Sequence, residues 1–178
     1  FTSAALAGMT SAQLNAMATA AATALTSVQV PGLATAALAG LSTTDIAGLS
    51  TGVIAALTTA QVMALGTAQV AAMTTAGVRA FTTAQVRALT TAQIANLTTT
   101  EVQALTSTEI GALTSAQIAN LTTTEVQALT TAEIAALTSA QVNALTTAEA
   151  AALTSTQAPA FTSAALAGMT SAQLNAMA

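Results

Sequence analysis

Large apolar residues return every eighth position along this chain, and the residues between them repeat in kind. Read from Phe1, the sequence divides into 22 octads followed by Met177 and Ala178, with no insertion or deletion to break the register. Position one is Leu, Met or Phe in all 22 octads, and position six is Leu, Ile or Val in 19. Position two is Thr or Ser in 19, position three is Ser or Thr in all 22, and position five is Gln, Glu or Asp in 16. Positions four and eight are small almost throughout, and position seven varies. The stretch from Leu89 to Ala136 shows the unit most purely, as LTTAQIAN, LTTTEVQA, LTSTEIGA and their near copies.

Threonine at position two, three residues before Gln or Glu at position five, is a capping box. The hydroxyl accepts the backbone N–H at N3, and the N3 side chain reaches back to the N-cap N–H. Position one then falls at N′ and position six at N4, the pair that forms a hydrophobic staple. All six acids (Asp45, Glu101, Glu109, Glu125, Glu133 and Glu149) sit at position five, in the first turn, where the helix dipole favours negative charge. A helix start every eight residues requires a helix stop every eight residues. The pattern therefore predicts an all-α solenoid, a superhelix of short capped helical turns. Each octad contributes one such turn over positions three to eight, with a corner at Leu-Thr.

The competing readings fail on periodicity. In one unbroken helix, eight residues at about 100° each would carry the position-one side chains round by about 80° per octad, leaving no apolar stripe. As a strand, alternation would set each position-one Leu beside Thr and Gln and opposite Val. Positions one and six are expected to face a narrow core, with three and seven facing out. One octad buries too little to fold alone, so stability should belong to the stack. Residues 89–112 match 113–136 at 20 of 24 positions, which is read as three octads per superhelical turn, ahead of two or four, or as the record of a gene duplication.

A longer period overlies the octads. Residues 1–18 recur unchanged at 161–178, so residues 1–178 read as a single repeat array cut from a longer one with a 160-residue super-repeat. Both copies are apolar (Phe1, Leu6, Met9, Leu14; Phe161, Leu166, Met169, Leu174) and uncharged. Ends of this kind invite continuation or head-to-tail stacking of copies. The pattern loosens between Met17 and Ala56, where Ala18 and Ala34 replace caps and Gly32, Gly40, Gly48 and Gly52 intervene. Pro31 and Pro159 occupy position seven, where the reading is a tolerated short helix end.

Composition narrows the chemistry. The 178 residues include 50 Ala and 47 Ser plus Thr, only eight charged side chains, and no His, Cys, Lys, Trp or Tyr, for a net charge of −4. No thiol or imidazole is present to ligate a soft metal or activate a serine. Two arginines cannot neutralise a run of phosphates, so no nucleic-acid partner is expected. Ser or Thr interrupts every octad, so no membrane span is expected either. The carboxylate pairs Glu101 with Glu109 and Glu125 with Glu133 are accounted for as caps. The expectation is no enzyme, no catalytic, cofactor-binding or metal residues, and no cofactor. Arg79 and Arg87 read as solvated charges or as ion-pair partners of Glu101 and Glu109. Phe1, Phe81 and Phe161 take the position-one slot and read as core.

The unbroken hydroxyl row at position three has three readings: bonds to backbone in the next coil, O-glycosylation, or binding of ice or a polysaccharide. The octads LTxxQ[VI]xA, free of indels and nested in a longer unit, resemble the short tandem-repeat arrays of large bacterial surface and secreted proteins, adhesin-like or fibre-forming. That resemblance implies an extracellular or cell-surface location and a structural role as filament, stalk or spacer, with copies of the chain itself as partners. The alternative is a surface-binding module for glycan or ice. The pattern carries an expected outcome: far-UV circular dichroism should be helical, and hydrogen-exchange protection should be higher over 89–149 than over 17–56.

Overall fold

The structure is a computed structural model that describes residues 8–16 and 24–177. Among these residues it is all-helical, with eighteen short α-helices and no strand. Contacts group the chain into two units, Phe1–Asn96 and Leu97–Ala178. The first carries α1 (Ser11–Ala16), α2 (Thr35–Ala39), α3 (Thr43–Ala47), α4 (Thr51–Ala56), α5 (Thr59–Ala64), α6 (Thr67–Val70), α7 (Thr75–Val78), α8 (Thr83–Ala88) and α9 (Thr91–Ile94). The second carries α10 (Thr99–Val102), α11 (Ser107–Ala112), α12 (Ser115–Ile118), α13 (Thr123–Ala128), α14 (Thr131–Ala136), α15 (Ser139–Ala144), α16 (Thr147–Ala152), α17 (Ser163–Leu166) and α18 (Ser171–Ala176). Each begins at position three of an octad, and the longest helices end at position eight, as the octad pattern predicts.

The corner between helices is two extended residues. Leu65 closes α5 at φ −63°, ψ 140°, and Thr82 opens α8 at φ −80°, ψ 159°. These are ordinary conformations for Leu and Thr, and no described residue has a positive φ. The turn therefore needs no glycine, and the same Leu-Thr pair can be used in octad after octad. Where Pro31 and Pro159 fall at position seven, the α-helix gives way to short 3-10 segments, Val30–Gly32 and Ala158–Ala160. Elsewhere the position-seven N–H bonds the carbonyl four residues back, as Arg79 does to Thr75 at 3.0 Å. Proline has no such N–H, so the tighter turn is the accommodation.

Helices pack on helices three octads away. In the first unit α1 meets α2, α2 meets α5, α3 meets α6, α4 meets α7, α5 meets α8 and α6 meets α9. In the second unit α10 meets α13, α11 meets α14, α12 meets α15, α13 meets α16, α15 meets α17 and α16 meets α18. From Thr35 to Thr59, or from Ser107 to Thr131, the interval is 24 residues. Position one and position six are buried as expected, from Leu57 and Val62 to Leu137 and Val142. Phe81 and Phe161 are buried in the position-one slot, while Phe1 and Ala18 lie outside the described residues. Burial of each large aliphatic contributes about 1.5–3 kcal/mol.

Stacked backbones approach closely, which explains small residues near the helix ends. A Cβ built on Gly168 would lie 2.4 Å from the Ser139 carbonyl oxygen, and one on Gly111 would lie 3.1 Å from that of Ala136. A Cβ on Gly52, within α4, meets nothing within 4 Å. Two glycine-to-alanine substitutions should thus have opposite signs. Gly52→Ala is expected to stabilise by about 0.5–1 kcal/mol, the usual gain within a helix. Gly168→Ala should destabilise by about 1–3 kcal/mol through overpacking. Thermal unfolding of both variants against the parent chain checks the pair.

Candidate functional site

The most elaborate chemistry in the molecule is at position five, built from the helix start upward. Thr58 precedes α5, and its hydroxyl accepts the Gln61 N–H at 3.2 Å while its own N–H donates to Gln61 Oε1 at 2.8 Å. Twelve of the described helices, α1 and eleven from α5 to α18, carry this complete reciprocal box with a Thr side chain. At α6 the N-cap is Gly66, which has no hydroxyl to offer. Only the Gln69 half forms there, by donation from Gly66 N–H to Oε1 at 2.7 Å. At α3 the shorter Asp45 accepts from the Ser42 hydroxyl at 2.6 Å and donates its N–H back to Ser42 Oγ at 3.2 Å.

The other end of the carboxamide makes contacts that the capping pattern does not announce. Gln61 is 1% exposed, and its Nε2 donates to the carbonyls of Val30 at 2.7 Å and Leu33 at 2.9 Å. Gln85 Nε2 donates to Ile54 at 2.8 Å and Leu57 at 2.7 Å, with Ala55 at 3.3 Å. Gln69 and Gln93 repeat this in the first unit. Gln141, Gln157 and Gln173 do so in the second. The acceptors always lie 31 and 28 residues earlier, at position six of one octad and position one of the next. These carbonyls lie at a helix C-terminus: the position-six one also accepts the N–H three residues on, as Ile54 does from Leu57 at 3.2 Å, and the position-one one lies beyond the helix's own donors. One side chain thus caps the start of its own helix and the end of a distant one. Because Oε1 faces an N–H, the orientation of each amide is dictated by its partners.

Inter-coil bonding by hydroxyls, one of the readings of position three, is a smaller effect. Ser115 Oγ donates to the Ala140 carbonyl at 3.2 Å. At position seven, Asn143 Nδ2 donates to Gly168 at 2.7 Å. The Gln side chains carry the larger share among the described residues. The sequence reading placed position five in the cap alone and missed its burial. A signal was present: position five holds ten Gln against five Glu and one Asp. Capping needs only an acceptor, and the helix dipole favours the carboxylate, so a preference for the carboxamide implies use of its N–H donors.

The glutamates sit in the same buried slots. Glu101 Oε2 accepts the Thr98 N–H at 2.6 Å and the Thr98 hydroxyl at 2.7 Å, and Glu109 does likewise with Thr106 at 2.7 and 3.0 Å. Glu125 and Glu133 accept from Thr122 at 2.5 Å and Thr130 at 2.6 Å. All four carboxylates are buried and committed to their own helix starts. Glu101 Oε1 is a buried side-chain oxygen with no hydrogen-bond partner. Arg79 and Arg87 are exposed. Among the described residues no group of three or more His, Cys, Asp or Glu side chains is placed to hold a metal ion. No described helix is long and apolar enough to cross a membrane.

A family model described as the ALTTAQ repeat matches the chain four times, over residues 38–75, 62–99, 95–123 and 123–155. The chain belongs to the ALTTAQ-repeat family. The first two matches start 24 residues apart, the same three-octad interval at which the helices pack. No curated protein and no solved structure matches the chain. In this ALTTAQ-repeat chain the Q of the motif is the residue that joins one octad to another.

The two jobs of that residue can be separated by substitution. Gln85→Glu keeps the acceptor for Thr82 but removes both donors from a buried site. It should destabilise by about 2–4 kcal/mol, from the lost bonds and a Leu57 carbonyl left unsatisfied. Gln13→Glu is the control, because Gln13 caps Thr10 but is exposed, and its effect should stay within about 0.5 kcal/mol. Chemical denaturation followed by circular dichroism checks both.

Proposed function

We propose that the chain is a structural array, a segment of an extracellular filament, stalk or surface spacer. The observation that supports this best is the carboxamide joint. The glutamine octads are completed by backbone 28–31 residues away, so the fold grows by adding octads rather than by enlarging one core. In each unit the helices would wind as a solenoid of about three octads per turn, the interval at which they pack. No side-chain set suited to nucleophilic or general acid–base catalysis is assembled among the described residues, and the proposal is that the protein is not an enzyme and needs no cofactor. Low charge and a surface of small polar residues suit lateral or end-to-end association with further copies. The location proposed is the cell surface or outside the cell, in a bacterial adhesin-like or fibre-forming protein, with O-glycans on exposed Ser and Thr.

A second reading rests on one observation. Positions two to four are mostly exposed in octad after octad, presenting Thr and Ser hydroxyls beside the corner. Such rows suit a glycan or ice surface. The two readings separate experimentally. Electron microscopy of the purified chain at rising concentration should show filaments or ordered bundles, and ice-recrystallisation and glycan-array assays should be blank. Dispersed particles with a positive binding assay would instead favour the second reading.

A further inference from the structure

Position five does not hold the same residue all the way along the second unit, and the difference has a direction. Helices α10, α13 and α16 pack in succession and carry Glu101, Glu125 and Glu149 at this position. Helices α11 and α14 pack together and carry Glu109 and Glu133. Helices α12 and α15 also pack together, and they carry Gln117 and Gln141. The packed pairs of the second unit therefore sort into glutamate pairs (α10–α13, α13–α16 and α11–α14) and glutamine pairs (α12–α15, and α16–α18 through Gln173).

An ionised carboxylate has acceptors only. By the register of Gln141 and Gln157, the positions that Glu133 would be set against are the carbonyls of Val102 and Leu105, and for Glu149 those of Ile118 and Leu121. Where a carboxamide would donate twice, the carboxylate presents a second oxygen. Packed helices also bring like charges to matching positions, which raises the cost of stacking. Meanwhile the local cap is strengthened: Glu149 Oε2 accepts the Thr146 N–H at 2.5 Å, a short charge-assisted bond.

We propose that the glutamate octads are compliant joints: they hold their own helical turns firmly but stack weakly, so the second unit opens along its glutamate stacks while its helices persist. The glutamine-joined pairs α12–α15 and α16–α18 stay closed longest. Substitution of Gln by Glu at this one position sets where the array yields, with no change in the octad register. The joint itself rests on the carboxamide geometry, and only its use under tension rests on the structural role proposed above.

The test uses the full chain as a monomer. Glu133→Gln and Glu149→Gln should each raise the thermal midpoint by about 4–8 °C, the shift that the low end of the loss expected for Gln85→Glu gives in a chain of this size. The reciprocal Gln141→Glu should lower it by at least as much. Pulling the chain between handles at its two ends should show an early low-force extension that shortens in the double Gln variant and lengthens in Gln141→Glu. Midpoints that are unchanged or lowered by the Gln substitutions, or an extension trace indifferent to them, would overturn the proposal. Because the readouts are taken on single chains, failure of the filament reading in microscopy leaves this result standing, and the reverse also holds.

Discussion

A helix of four to six residues is mostly ends, and the need to satisfy those ends governs this fold. The first four N–H groups and the last four carbonyls of any α-helix lack intrahelical partners, so turns as short as α6 or α9 leave almost every backbone group to be satisfied from outside. Buried backbone cannot be left unpaired. The octad meets this demand with two side chains. A threonine hydroxyl takes one N–H, and a glutamine oxygen takes another. The same glutamine's amide then reaches back 28 and 31 residues to carbonyls at the close of another helix. The local element is thereby incomplete without its neighbour in the stack, and stability is a property of the array.

That arrangement accounts for the composition. A carboxamide short enough to cap its own helix and still bond the next coil requires backbones nearly in contact. The close passage of Gly168 by Ser139 and of Gly111 by Ala136 is the consequence. Small residues where a helix end meets the next coil are thus a steric requirement of the joint, while large aliphatics are confined to positions one and six. Six of the eight charges nevertheless fall at position five, which is drawn inside with the apolar pair and where an unpaired charge is expensive.

The pair Gln and Glu illustrates how a nearly isosteric exchange acts at two levels in opposite directions. At the level of one helix, the carboxylate is the better N3 residue, favoured by the dipole and by charge-assisted bonding to the N-cap. At the level of the stack it is the worse one, because it cannot donate to the carbonyls it faces. A family built on the ALTTAQ octad can therefore alter its stacking by changing a single residue type while leaving helix boundaries and core untouched.

Much of this was legible in the chain. The spacing of Thr58 and Gln61, repeated through Thr170 and Gln173, placed each helix start. Leu and Val at positions one and six marked the core, and Pro31 and Pro159 marked short helix ends. All of these are local relations, settled within one octad by backbone hydrogen bonding and side-chain size. The burial of position five was not legible in that way. Whether Nε2 of Gln85 meets solvent or the Ile54 and Leu57 carbonyls depends on where another octad lies. That placement is the accumulated product of the extended dihedrals at every Leu-Thr corner between them. Local pattern sets each corner, but only the stacked structure brings a helix start over a helix end. The sequence by itself determined the turns; the tertiary structure decided which side chain joins them.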